Sequence, residues 1–192
     1  IVTQSKPDIY KKAEEISLDS VIGFTGFGDR EIFFVSNIVF PEAMIHERKK
    51  SPVEENALFI SDLHYGSKFF LEQSFLKFID YLNGKHGKMS EVEKIKYLFV
   101  VGDLVSGVGI YPGQKNDLKV EDLEAQFQGI AGLFGKIRRG IKIIISPGNH
   151  DGVRIMEPQP ILDEKYAWPL YNMKNIILTA NPSYVNIGAR KN

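Results

Sequence analysis

The segment YLFVVGD, residues 97–103, shows the pattern on which the fold of this chain depends. An uninterrupted apolar run that ends in a glycine and an aspartate is typical of a short strand, buried on both faces and followed by a polar turn. Two other segments share the pattern: ALFIS (57–61), which precedes Asp62-Leu63-His64, and IKIIIS (141–146), which precedes Pro147-Gly148-Asn149-His150-Asp151. The sequence therefore predicts three buried strands, each ending in a cluster of polar residues.

Helical patterns separate these strands. Apolar residues at helical spacing lie within residues 69–83, and Ser90 with Glu93 forms a capping-box pattern for a short second helix. A third helical stripe extends from Leu123 to Phe134 and is expected to end near Gly135. The alternation of strand and helix favours right-handed crossovers and a largely parallel sheet, so the predicted fold class is α/β.

The chain upstream of this region has a different character. Residues 20–40 are rich in β-branched and aromatic residues interrupted by glycines, which predicts a hairpin followed by a third short strand. The segment from Pro41 to Asn56 is charged and lacks an apolar face, so we interpret it as a linker. The α/β domain is expected to start at Ala57.

Composition excludes several classes of protein. Hydrophobic residues make up 43% of the 192 residues and charged residues 25%, which is typical of a globular protein, and no apolar run is long enough to span a membrane. The chain contains no cysteine, which excludes disulfides and thiolate metal sites, and it lacks a signal-peptide pattern, so we expect a cytoplasmic protein. Lysine and arginine balance aspartate and glutamate at 24 each, and this balance neither favours nor excludes a nucleic-acid ligand.

The polar clusters are expected to meet at one edge of the sheet. Ligand sites in open α/β sheets lie at the carboxyl ends of the strands. If the three strands are neighbours, one site contains five residues able to bind metal ions or protons: Asp62, His64, Asp103, Asn149 and His150. Asp62 and His64 are separated by one residue, so both point to the same side of an extended segment.

The residue types fit a two-metal hydrolytic site. Asp103 has two carboxylate oxygens and can bridge two ions, while Asn149 offers a neutral oxygen ligand. Oxygen and imidazole ligands suit manganese, iron or zinc, and a pair of such ions can activate water against a phosphoester. Gly102 and Gly148 allow the backbone to approach the ions closely. Each motif alone could be only a polar turn, but all three in order after apolar strands favour a phosphoesterase.

The order Asp-x-His, Gly-Asp, Gly-Asn-His-Asp resembles that of the calcineurin-like metallophosphoesterase superfamily. Longer stretches are similar to the small subunits of archaeal D-family DNA polymerases: FISDLHYGSKFF (59–70), VVGDLVSGVGIYPGQ (100–114) and SPGNHDGVRIMEPQP (146–160). The resemblance implies part of a two-sheet α/β sandwich preceded by the end of an OB-fold β-barrel. It divides the chain into residues 1–41 (end of the OB-fold), 42–56 (linker) and 57–192 (first half of the phosphoesterase domain).

The resemblance also implies a role for each residue. Asp62 and His64 would bind the first divalent ion, Asp103 would bridge, and Asn149 would bind the second ion. His150 would protonate the leaving 3′-oxygen, with Asp151 orienting it. The resemblance implies two divalent metal ions. Manganese is the favoured metal, and iron, zinc or magnesium are the alternatives. The implied activity is a 3′-to-5′ exonuclease on single-stranded or mismatched DNA ends, with the large polymerase subunit as partner.

The family pattern requires further histidines that this sequence does not supply. His46 lies in the linker and His86 in a Gly-Lys loop, so both are interpreted as surface residues. The chain opens on Ile1 and stops at Asn192, before the later lone His and Gly-His-x-His motif are expected. We therefore expect a fragment that binds metal weakly, or at one site only, and is inactive alone.

Two further residues are weaker candidates for substrate binding. Arg154 could meet a phosphate or pair with Glu157, and Tyr111 could border the path of DNA or contact the large subunit. Trp168 is interpreted as a packing residue, and the tail after it as containing another strand. Two alternative functions remain open: a non-catalytic scaffold that docks the large subunit, and another calcineurin-like nuclease.

Overall fold

The computed structural model describes residues 1–2, 6–41 and 51–188. The chain divides into two compact units, Ile1–Lys50 and Ser51–Asn192. His46 and most of the predicted linker lie outside the described residues.

The first unit contains one helix and one hairpin: α1 (Pro7–Glu14), β1 (Gly23–Gly28) and β2 (Phe33–Val39). The strands are antiparallel, and the Asp29 carboxylate closes the loop between them by accepting the Glu31 and Ile32 amides at 2.9 Å. The predicted hairpin is present, but residues 20–41 contain no third strand, because Phe33–Val39 forms one continuous strand, β2. The hairpin is compatible with several β folds, so the OB-fold assignment stays a prediction.

The second unit is a parallel α/β structure. Its elements in chain order are β3 (Asn56–Ile60), α2 (Glu72–Leu82), α3 (Met89–Val92), β4 (Ile95–Val101), a 3₁₀ turn (Gln114–Asp117), α4 (Leu123–Phe134), β5 (Lys142–Ser146), α5 (Glu164–Tyr171) and β6 (Ile176–Leu178). The strands form one sheet in the order β3-β4-β5-β6, and each neighbouring pair is parallel. The predicted α/β class and parallel sheet are confirmed.

The core lies between one face of this sheet and the helices. Helices α2, α4 and α5 direct their apolar stripes onto the inward residues of β4 and β5, and the cluster includes Ile79, Leu98, Ile130, Ile143 and Leu170. Burying several large aliphatic side chains in this way stabilises the sheet by roughly 1.5–3 kcal/mol each. The packing fixes the strand ends on which the polar clusters lie.

The opposite face of β3 and β4 is exposed within this chain. Phe59 is 65% exposed and Val101 is 49% exposed, and the Phe59 ring stacks on Phe99 at a centroid distance of 4.6 Å. The prediction that these strands are buried on both faces is therefore wrong for β3 and β4, because the helices pack on one side only. It holds for β5, in which Ile143, Ile144 and Ile145 are all buried.

The helix ends differ in part from the sequence predictions. Helix α3 starts at Met89 after Lys88, so Ser90 lies inside the helix and the predicted capping box does not form. Helix α4 starts after Asp122, whose carboxylate accepts the Ala125 amide at 2.8 Å, and it ends before Gly135 as predicted. In the ranges that the structure describes, no helix is long and apolar enough to cross a membrane.

Candidate metal centre and active site

The segments that follow the strands stay paired with one another. The Asp62 amide donates to the Gly102 carbonyl at 3.2 Å, and the His64 amide donates to the Asp103 carbonyl at 3.0 Å. On the other side, the Gly102 amide donates to the Ser146 carbonyl at 3.1 Å. Because this pairing extends the sheet past its strands, the polar clusters after β3, β4 and β5 lie side by side.

Three residues of the site have a left-handed backbone. Their φ angles are +55° for Asp62, +48° for His64 and +52° for Asp103. The expectation of an extended Asp-x-His segment is therefore wrong, and the two side chains meet because both backbones turn. A left-handed residue other than glycine costs roughly 1–3 kcal/mol, and such residues concentrate at functional sites.

The side chains of these residues form a cluster suited to a divalent ion. The His64 Nε2 atom lies 3.7 Å from an Asp62 carboxylate oxygen and 3.9 Å from an Asp103 carboxylate oxygen. Two ligand atoms that are each about 2.1 Å from one ion lie at most about 4.2 Å apart. His64, Asp103 and His150 also offer ligand atoms within 4.8 Å of one another. The separations of His64 from Asp62 and Asp103 are within the limit of about 4.2 Å, and the donor set suits a metal such as manganese or zinc.

Asp103 is held in place from the third strand end. The His150 amide donates to its Oδ1 atom at 3.0 Å. A Cβ atom at position 148 would overlap the same Oδ1 atom and the Asp103 amide, so only glycine fits there. The neighbouring Gly102 has a φ of +85°, which glycine adopts without strain. Both predicted glycine positions thus have a direct physical reason.

Asn149 lies in the loop after β5, next to His150. It is exposed and lines a smaller cavity of 250 Å³, together with Asp62, Asp103 and Asn181. This places an amide oxygen donor near two of the predicted ligands. The assignment of Asn149 to a second ion stays a prediction.

The contact that orients His150 differs from the predicted one. Its Nδ1 atom lies 2.8 Å from the Ser106 carbonyl oxygen. Since a carbonyl can only accept, Nδ1 carries a proton and Nε2 is the nitrogen left for proton transfer or metal binding. The imidazole of His64 packs edge-on against that of His150, with ring centroids 4.6 Å apart. The Ser106 carbonyl, rather than Asp151, therefore orients the His150 ring.

Asp151 instead joins two loops beneath the site. Its carboxylate accepts the Val105 amide at 2.9 Å and the Gly148 amide at 2.8 Å, and the residue is 2% exposed. Burial raises the pKa of this carboxyl group to about 6, although the backbone donors act in the opposite direction. The role of Asp151 seen here is to hold the loop after β4 against the loop after β5.

Two buried glutamines that sequence reasoning missed brace the same loops. Gln114 donates from Nε2 to the Ser106 carbonyl at 2.8 Å and accepts the Ile110 amide at 2.9 Å. Gln126 accepts the Gly107 amide at 2.9 Å and donates to the Val120 carbonyl at 2.8 Å. Both are nearly inaccessible to solvent. A glutamine on the apolar stripe of α4 was the available indication, since a buried amide requires partners.

Tyr111 and Arg154, the two candidate substrate-binding residues, have different surroundings. Tyr111 borders the cleft beside His150, and its hydroxyl donates to Asp117 Oδ2 at 2.9 Å, a contact that raises the tyrosine pKa. Arg154 is exposed, and among the described residues no ion pair joins it to Glu157. Glu157 accepts instead from Asn181 Nδ2 at 3.0 Å. His86 is exposed, as expected.

The fold and this cluster of ligands define a class of protein. Residues 56–188 match the family of calcineurin-like phosphoesterases, and the chain belongs to that family. Among curated proteins it is similar to archaeal proteins described as DNA polymerase II small subunit. The chain is 42% identical to that of Methanocaldococcus jannaschii over 192 residues, which are 97% of this chain and 32% of the relative.

Two further relatives show the same relationship. Identity is 40% over 190 residues with the Methanothermobacter thermautotrophicus protein, covering 97% of this chain and 39% of the relative. It is 39% over 187 residues with the Pyrococcus abyssi protein, covering 94% of this chain and 30% of the relative. The chain thus spans about a third of the length of these relatives.

Proposed function

We propose that this chain is part of the small subunit of an archaeal D-family DNA polymerase and contributes a metal-dependent 3′-to-5′ exonuclease site. The observation that supports this most strongly is the meeting of Asp62, His64 and Asp103 at the ends of adjacent parallel strands. Membership in the calcineurin-like phosphoesterases supports phosphoester hydrolysis, and the similarity to polymerase subunits supports DNA as the substrate.

The ligand assignment follows from the donor atoms. Asp62, His64 and Asp103 would hold one divalent ion, with Asp103 and Asn149 contributing to a second. When bound, such ions supply Lewis acidity toward the phosphodiester and a more acidic water. Asp103 suits the shared position because it lines the cavity that also contains Asn149, lies 3.9 Å from His64 Nε2, and has its carboxylate held by the His150 amide.

His150 would handle the proton of the leaving group. The Ser106 carbonyl holds the proton on Nδ1, which leaves Nε2 to donate to the departing 3′-oxygen when the ring is protonated. Asp151 contributes indirectly, because it accepts the Gly148 and Val105 amides and so holds together the two loops that contain His150 and Ser106. This chain would then provide one part of the site within a longer protein.

The proposed substrate is the 3′ end of DNA, single-stranded or mismatched, and the proposed partner is the large polymerising subunit. The test uses the complete protein that contains this sequence, with and without the large subunit. Manganese-dependent release of nucleotides from the 3′ end is measured for the wild type, Asp103→Ala and His150→Ala.

Activity in the wild type that falls at least a hundredfold in both variants supports the proposal. An intact assembly that binds manganese but releases no nucleotides would instead favour the non-catalytic scaffold. Activity that prefers nucleotides or other small phosphoesters over DNA ends would favour a different calcineurin-like hydrolase.

A further inference from the structure

A cleft of 640 Å³ opens beside the cluster of proposed metal ligands, Asp62, His64, Asp103 and His150. It shares Asp62, His64 and His150 with that cluster, so a ligand in the cleft is next to the atoms proposed to act on a phosphodiester. Its remaining wall is mainly apolar and aromatic: Phe69, Phe70, Leu71, Phe75, Phe78 and Tyr111. The volume is within the range of about 300–1,000 Å³ typical of small-ligand sites and accommodates one nucleotide unit.

The charges of the lining indicate which part of a nucleotide fits. Among the described residues no lysine or arginine lines the cleft, and the carboxylate of Asp62 is the acidic group that does. A phosphate placed there would meet a negative charge and apolar rings. A planar, uncharged base would meet aromatic faces, which bind bases by stacking irrespective of base identity.

Phe69 has the geometry of a stacking platform. The residue is 74% exposed, which is unusual for a phenylalanine whose backbone is firmly held. The Phe69 amide donates to the Ser67 hydroxyl at 3.1 Å. Next to it, Lys68 donates from its amide to the Asp117 carbonyl at 2.8 Å and from Nζ to the Asn116 carbonyl at 2.6 Å. The exposed ring therefore extends from a rigid turn, which reduces the entropy lost on stacking.

Tyr111 is tied to the same support. Its hydroxyl donates to the Asp117 side chain at 2.9 Å, and Asp117 also accepts the Lys68 amide through its carbonyl. The floor of the cleft joins the core through packed rings, with centroids 6.0 Å apart for both Phe70–Phe75 and Phe75–Phe78. The cleft is thus preformed by contacts that do not require a ligand.

We propose that this cleft binds the unpaired base of the nucleotide whose phosphodiester lies at the Asp62–His64–Asp103–His150 cluster, with Phe69 stacking on that base. The inference rests on the proposed exonuclease function and adds the site that receives the terminal base. A base that is paired at the end of a duplex must break its base pair before it can enter the cleft. Mismatched and single-stranded ends are therefore expected to be the better substrates. Little preference among the four bases is expected, since stacking involves the faces of the bases and not the hydrogen-bonding groups that distinguish them.

The test compares two single-stranded oligodeoxynucleotides that differ only at the 3′-terminal unit, which is either a normal nucleotide or an abasic analogue. The complete protein, assayed with manganese, is compared with Phe69→Ala, Phe69→Trp and Leu71→Ala. The quantity measured is the ratio of kcat/KM for the normal end to that for the abasic end. Leu71 is the matched control, because it is 72% exposed on the same cleft but cannot stack.

We expect Phe69→Ala to lower this ratio about tenfold, and Phe69→Trp to preserve it. Leu71→Ala should lower it less than threefold. An unchanged ratio in Phe69→Ala, or an equal fall in Phe69→Ala and Leu71→Ala, overturns the stacking role. A fall in unfolding midpoint with an unchanged ratio would mean that another protein segment covers Phe69, which also overturns it.

A binding measurement separates this inference from the exonuclease proposal. An oligonucleotide with 2-aminopurine at its 3′ end is titrated with the complete protein in calcium, and fluorescence quenching reports stacking. If the protein hydrolyses no DNA but quenches the probe, and Phe69→Ala removes the quenching, the base site stands and the exonuclease proposal fails. If the protein hydrolyses DNA without quenching that depends on Phe69, the base site is wrong and the exonuclease stands.

Discussion

The Nδ1 atom of His150 lies 2.8 Å from the carbonyl oxygen of Ser106, and this contact determines which ring nitrogen is available to a substrate. The same carbonyl accepts from Gln114 Nε2 at 2.8 Å. Gln114 is 2% exposed and also accepts the Ile110 amide, so both ends of its amide are used. A side chain outside the motifs therefore fixes the acceptor that orients the proposed proton donor.

Replacement of Gln114 by methionine should reduce catalysis selectively. The substitution keeps the length and apolar volume but removes both hydrogen bonds, so the Ser106 carbonyl and the His150 ring lose their fixed position. We expect kcat on a DNA end to fall about tenfold in the complete protein, with KM within twofold.

The control for this prediction is a substrate that needs no proton donor. Bis(p-nitrophenyl) phosphate has a leaving group that departs as an anion, so its hydrolysis should change less than twofold in Gln114→Met. Equal losses on both substrates would contradict the positioning role and indicate general damage to the loop.

The left-handed backbone of Asp62 predicts an order of stabilities. At a φ of +55°, alanine is strained and glycine is not. The free energy of unfolding should therefore be about 1 kcal/mol larger for the Asp62→Gly variant than for the Asp62→Ala variant. Urea unfolding of the two variants measures this difference, and Asp62→Ala stability equal to that of Asp62→Gly would contradict it.

Gly148→Ala should displace the proposed metal ligand Asp103 while leaving the identity of every ligand residue unchanged. A Cβ atom at this position overlaps the carboxylate and amide of Asp103, so the ligand or its backbone must move. We expect manganese affinity of the complete protein, measured by calorimetry, to fall at least tenfold.

Gly132→Ala is the matched control. Gly132 lies in α4, and an added Cβ there meets no atom within 4 Å. This variant should keep its manganese affinity and gain up to about 1 kcal/mol of stability from better helix propensity. Affinity retained in Gly148→Ala would show that Asp103 in its present position is not a ligand.

Asp151→Asn should destabilise the chain by about 1–3 kcal/mol. The carboxylate accepts two backbone amides, from Val105 and Gly148, whereas an asparagine has one acceptor and turns its NH₂ group toward the other donor. Asp163→Asn serves as control because Asp163 is an exposed helix cap whose carboxylate accepts the Lys165 amide, and asparagine caps equally well. Urea unfolding with equal losses in both variants would contradict the bridging role of Asp151.

The strands and the residues at their ends were predictable from the sequence for one physical reason. A short apolar run that stops at a glycine or an aspartate has few alternatives to a buried strand, and parallel strands bring their carboxyl ends together. For this reason the sequence predicts Asp62, Asp103 and His150 as neighbours.

Other features depend on information that residue types do not contain. Phe59 and Val101 lie on one face of the sheet, and their burial depends on whether another element packs against that face. An apolar run in the sequence does not contain this information, so a prediction from the run alone overestimates how much of the strand is buried. Ser106 acts through its carbonyl, which every residue has, and no motif marks it. The left-handed turns at Asp62 and His64 replace the alternation expected of an extended segment, because pairing with the Gly102 and Asp103 carbonyls fixes the backbone.

If the ends of β3, β4 and β5 form a metal site, manganese bound there is visible by anomalous scattering from crystals of the complete protein. We predict an anomalous peak about 2.0–2.3 Å from His64 Nε2 and from an Asp103 carboxylate oxygen. Asp103→Ala crystals grown under the same conditions should lose that peak. Crystals soaked in millimolar manganese with no peak at these residues would show that the three strand ends do not form a metal site.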